Sequence, residues 1–191
     1  MKLRQHKYFS VGLFIVLYLG LSFGNELFIG LTAKGNLYSP FLDEHLNYVK
    51  AFRRFLLLMA GEFIGLFGHS TSVYDLGLKM DTGRGVRLVY SCLGLSILSF
   101  WWAMILAFPQ SLKNKIIFFF GGTALIVLLN IMRIAAVALV YNSWPKTEVD
   151  HHLLFNIVVY GILFLLLYRW FNLPQVRRQE AVDINEKEER R

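Results

Sequence analysis

The chain has 191 residues, 55% of them hydrophobic and 16% aromatic, with only 17% charged. That balance is too apolar for an ordinary soluble domain, and its single cysteine excludes an internal disulfide framework and any multi-cysteine zinc site. The formal net charge of +7 lies largely in loops and tails, where it suits anionic membrane surfaces and orientation rather than nucleic acid.

The basic N-terminus (MKLRQHKYF) leads into a mostly apolar run from Ser10 to Leu31, with Asn25 and Glu26 interrupting it at the interface near its far end. This run outlasts the roughly 7–15-residue core of a cleavable signal peptide, so it is expected to stay as a first crossing helix. Lys50 to Gly68 (KAFRRFLLLMAGEFIGLFG) has a short uncharged core broken by Arg53, Arg54 and Glu62. A fifth crossing and an interfacial or re-entrant helix both fit it. Residues 69–91 carry β-branched residues, aromatics and a DTGRG turn signal, which predicts a small extracytoplasmic hairpin leading into Cys92. Arg84 and Arg87 in that stretch read as solvated or headgroup contacts.

Three apolar runs follow, Cys92 to Phe108, Ile116 to Tyr141 and His152 to Phe171, with Pro109 and Pro145 as breaks. The remainder, Asn172 to Arg191, is polar and dense in both charge signs, as expected of a mobile tail opened by Pro174. The organisation expected is a single transmembrane helical domain over residues 1–171 and a cytoplasmic tail over 172–191. The fold class expected is all-α, a polytopic bundle of about four transmembrane helices. A short interfacial or re-entrant helix and a small extracytoplasmic loop region complete it. Four crossings keep Lys2, Arg4, Lys7, Lys113, Lys115 and the basic tail inside, whereas a fifth would send the tail outside against the positive-inside tendency.

Arg133 carries the chemical signal. It lies in IIFFFGGTALIVLLNIMRIAAVALVY, one helical turn after Asn130. An arginine near mid-bilayer costs about 2.5–3.5 kcal/mol even on the lenient insertion scale, so a buried partner or a chemical task is expected. The four-crossing topology brings Cys92, Arg133 and the His151–His152 pair to the same leaflet. A guanidinium and a helix N-terminus both favour a thiolate, and a histidine can take the thiol proton and return it to a leaving amine. Arginine can instead stabilise a tetrahedral oxyanion. Bland roles compete: Cys92 as a packing residue, a histidine as an interfacial cap, Asp150 as an N-cap, and Asn130 as a hydrogen-bond partner of Arg133. No cofactor box and no metal-ligand set is expected.

SCLGLS, then NIMRIA, then HHLLFNIVVYG resemble the exosortase/archaeosortase family of membrane transpeptidases, over roughly residues 65–170. The resemblance implies a cysteine, an arginine and a histidine acting together on the extracytoplasmic face. The matching positions are Cys92, Arg133 with Asn130 as companion, and His152, with His151 as the alternate. The family's histidine is commonly followed four residues later by glycine; Asn156 takes that place relative to His152. The resemblance further implies a cysteine protease or transpeptidase in the bacterial cytoplasmic (inner) membrane. It would cleave C-terminal sorting signals of membrane-anchored secreted proteins through a thioester, with a cell-surface glycan or lipid as acceptor. The competing readings are a non-enzymatic subunit of an envelope polysaccharide or protein export assembly, and a small transporter in which Arg133 binds an anion.

Overall fold

The computed structural model describes residues 2–35, 37–83, 85–140 and 151–172. The chain begins with helix α1 (Lys2–Thr32), then a short α2 (Pro40–His45) and α3 (Tyr48–Gly65). Strands β1 (Thr71–Tyr74), β2 (Gly77–Met80) and β3 (Gly85–Arg87) follow as an antiparallel meander. A single 3-10 turn, Tyr90–Cys92, leads to α4 (Leu95–Ala107), α5 (Leu112–Val140) and α6 (His151–Phe171). The fold is mostly helical, and the predicted hairpin is present with a third strand added. The expected tail falls almost wholly outside the described residues.

Two helices are long and apolar enough to cross a membrane, over Tyr8–Thr32 and Leu112–Leu139, whereas Leu95–Ala107 and Ile157–Phe171 are apolar but shorter. Helix length therefore marks two crossings where the sequence led us to expect about four. The difference in α4 is local. The apolar run starts at Cys92, but Gly94 adopts φ +77° and opens the helix from a left-handed position, so Cys92 stands in the turn outside it. Pro109, next to the extended Phe108, ends α4 at the other side, as expected.

Apolar residues sort into two clusters. One joins α1, α4, α5 and α6 around Leu98, Trp101, Met104, Ile126, Val159, Leu163 and Trp170, with Phe14 and Phe108 against it. Trp101 is fully buried and donates from Nε1 to the Phe118 carbonyl at 3.2 Å, and its indole lies flat against Gly122, where a Cβ would overlap the ring. The absence of a side chain at that one position lets α4 and α5 approach. The second cluster sets α3 and the meander against the C-terminal half of α5, through Leu56, Leu57, Ala60, Leu78, Ile131, Ile134 and Ala135. Residues 50–65 thus belong to α3, which packs on α5 and the meander, and 66–68 form a turn after it. The meander's closing turn is held by Asp81. Its carboxyl sits below the usual range because the Ser70 and Thr82 backbone N–H groups donate to it, with His69 beside it.

Replacing Gly122 with alanine is expected to force Trp101 out of its site and cost about 1–3 kcal/mol, as overpacking does. A detergent-solubilised variant that unfolds at the parent's temperature would show that the α4–α5 approach does not depend on this glycine.

Candidate active site

The site is built where α4 begins. Asn130, only 8% exposed, donates through Nδ2 to the carbonyl oxygens of Cys92 at 3.2 Å and Leu93 at 3.0 Å. These carbonyls lie in the turn ahead of α4, where backbone groups lack helical partners. Gly94 is called for by its φ of +77°, which L-residues rarely adopt; a Cβ there would only touch Asn130 Nδ2, at 3.4 Å. The SCLG segment is therefore a shaped turn clasped by one amide of α5.

One helical turn beyond Asn130 on the same helix, Arg133 reaches the thiol, with Nη2 at 3.9 Å from Cys92 Sγ. This is a charged donor directed at sulfur. Cys92 is free and half-buried. Asn130 meets the backbone of the turn and Arg133 its side chain, so α5 controls both position and charge at the thiol. A hydrogen bond from Arg133 to Asn130 would use the amide's Oδ1, since its Nδ2 is committed to the two carbonyls.

A cavity of about 650 Å³ opens at Cys92, lined also by Asn130, Arg133 and Gly94. Val159 and Tyr160 of α6 line it from another side. The α6 backbone starts at His151, while the side chains of His151 and His152 lie outside the described residues, as does Asp150. Depth along the bundle is nevertheless readable. Ile126 of α5 and Val159 of α6 share one apolar cluster, and Phe118 stacks edge-on against Trp170 further inward. The helices therefore run antiparallel. Seven residues separate Ile126 from Arg133, and seven separate Val159 from His152, roughly 10 Å of rise in each helix. The His152 backbone thus falls near the depth of Arg133.

A larger open cavity of about 870 Å³ lies between α2, α3 and β1, walled by charged residues of both signs such as Asp43, Lys50, Arg54 and Glu62. The single thiol of the chain lines the smaller cavity and not this one. Among the described residues no three His, Cys, Asp or Glu side chains gather as a metal site.

Residues 5–169 match the family model of the transmembrane exosortases. The chain belongs to that family. The matched span encloses the cysteine, the asparagine–arginine pair and both histidines. No curated protein and no solved structure matches the chain.

Two groups escaped the sequence reading of this exosortase-family site. Arg53, 4% exposed, lies with its guanidinium carbon 4.3 Å over the ring of Tyr90, the first residue of the cysteine turn. A desolvated cation–π contact of this kind contributes about 1–2 kcal/mol. Its signal was available: Val49, Arg53, Leu56, Leu57, Ala60 and Ile64 form one buried helical stripe of α3, and a charge on such a stripe needs a purpose. The second group is the polar set Ser22, Asn25 and Glu26 of α1, which lines the thiol cavity. Asn25 is fixed there by a relay: Tyr48 Oη donates to Asn25 Oδ1 at 2.6 Å, Asn25 Nδ2 to Ser99 Oγ at 3.0 Å, and Ser99 Oγ to the Leu95 carbonyl at 2.8 Å.

Arg133→Ala is expected to slow alkylation of Cys92 by iodoacetamide about tenfold, because the cationic donor directed at the sulfur is gone. An unchanged rate in a folded variant would show that Arg133 does not act on the sulfur.

Proposed function

We propose that this exosortase-family membrane protein is a cysteine transpeptidase that processes C-terminal sorting signals at the extracytoplasmic face through a thioester. The observation that carries the reading is Arg133 Nη2 at 3.9 Å from the only thiol in the chain. Cys92 is the nucleophile, and Arg133 holds the thiolate and then the oxyanion that forms on the attacked carbonyl. His152, with His151 as alternate, accepts the thiol proton and delivers it to the leaving amine. Asn130 positions the cysteine through its two carbonyl contacts.

Four crossings with both termini inside accommodate this assignment. The two shorter apolar helices, α4 and α6, pack in one cluster with the long α1 and α5. Lys113 and Lys115 mark the inner end of α5. From Ile116 to Asn130 the helix rises about 21 Å. In a hydrocarbon core of about 30 Å, that depth leaves the thiol below the outer surface, inside the cavity. A substrate anchored by its own helix is held at fixed depth, which brings its scissile bond to the thiol without a search in three dimensions. The substrates are membrane-anchored proteins carrying such signals, the acceptor is a cell-surface glycan or lipid, and the location is the bacterial inner membrane.

Cys92→Ala is expected to abolish cleavage of a co-expressed protein bearing a C-terminal sorting signal while membrane insertion stays intact. Normal cleavage would remove the thioester mechanism and favour the export-subunit reading, in which the cysteine is dispensable. His152→Ala is expected to reduce cleavage at least about 100-fold and more than His151→Ala. The reverse order would transfer the proton-carrying role to His151.

A further inference from the structure

The first helix contributes more than an anchor. Ser22, Asn25, Glu26 and Ile29 all line the thiol cavity and stand at i, i+3, i+4 and i+7, one face of α1. Glu26 is the only charged residue in the apolar stretch Tyr8–Thr32. It stands near the interfacial end of that stretch and is exposed in the fold, so its place at the cavity, and not a mid-bilayer cost, is what singles it out. Glu26 nevertheless has no hydrogen-bond or ion-pair partner among the described residues. The Ser22 hydroxyl one turn below is buried and equally without a hydrogen-bond partner among them. The Tyr48–Asn25–Ser99 relay locks this face against the start of α4, so the carboxylate at the cavity is a consequence of the packing. The cavity is lined by the thiol turn at the head of α4, by Arg133, by α6 and by this face of α1.

We propose that Glu26 is the general base of the second half-reaction, deprotonating the acceptor that releases the acyl group from Cys92. This rests on the thioester reading. In the step, the acceptor's oxygen or nitrogen bonds to the thioester carbonyl carbon while its proton passes to the Glu26 carboxylate. The carbon–sulfur bond breaks, and its electron pair returns to Cys92 as thiolate beside Arg133. The first half-reaction does not use Glu26.

The test uses the full chain in detergent micelles, acetylated at Cys92 with p-nitrophenyl acetate and followed by mass spectrometry of the cysteine peptide. Loss of the acetyl group is timed with glycerol, an alcohol that needs a base, and with hydroxylamine, which reacts without one. In Glu26→Gln, an isosteric change, acetylation and hydroxylamine release are expected to match the parent, while release to glycerol slows about 100-fold. Equal glycerol rates in the two proteins overturn the assignment. Equal slowing with both nucleophiles also overturns it, because that marks a distorted site and not a lost base. A parent whose Cys92 is not acetylated overturns the thioester reading itself, an outcome distinct from either.

Discussion

Asn130 holds the site together through one planar amide. Its two donated hydrogen bonds satisfy the carbonyls of Cys92 and Leu93, and each such bond contributes about 0.5–1.5 kcal/mol net. The larger effect is geometric. The turn before α4 pairs its N–H groups internally, Cys92 to the Val89 carbonyl and Leu93 to that of Tyr90, and the amide takes up the Cys92 and Leu93 carbonyls. Because the same helix carries Arg133 one turn further out, any movement of α5 carries the clasp and the guanidinium together. Gly94 completes the arrangement by giving the turn its left-handed step.

Everything else in the fold keeps α5 beside α4 at that register. Along the N-terminal half of α5, Trp101 packs on Gly122 and hydrogen-bonds to Phe118, while Trp102 donates to Thr123 at 2.9 Å. Along its C-terminal half, α3 and the meander clamp α5, and Arg53 presses on Tyr90 at the entry to the cysteine turn. The thiol therefore sits at the junction of the helical bundle and a small cap of α3 and the meander. Such a junction permits a cavity, since neither layer has to fill it.

Much of this was legible in the residues. Arg133 in an apolar helix announced a task by its cost alone, and the order of SCLGLS, NIMRIA and HHLLFN pointed to the family that the match over residues 5–169 establishes. The hairpin before Cys92 followed from β-branched residues and a DTGRG turn. Other features were not legible. Hydropathy placed Cys92 at the head of a helix, because an apolar run does not reveal a left-handed glycine within it. Charge marked Arg53 only as an interruption, although its helical spacing placed it on the buried stripe of α3.

The sequence by itself determined the membrane class, the inventory of reactive groups and their order along the chain, since each depends on composition and local spacing. Which of those groups meet was decided only by the tertiary structure. Asn130 clasps Cys92 across 38 positions, and Arg133 reaches it across 41; Asn25 is tied to Ser99 across 74. Contacts at such separations depend on helix register and on close approaches like that of Trp101 to Gly122. Side-chain packing between helices sets those, and no local property of a single segment encodes them.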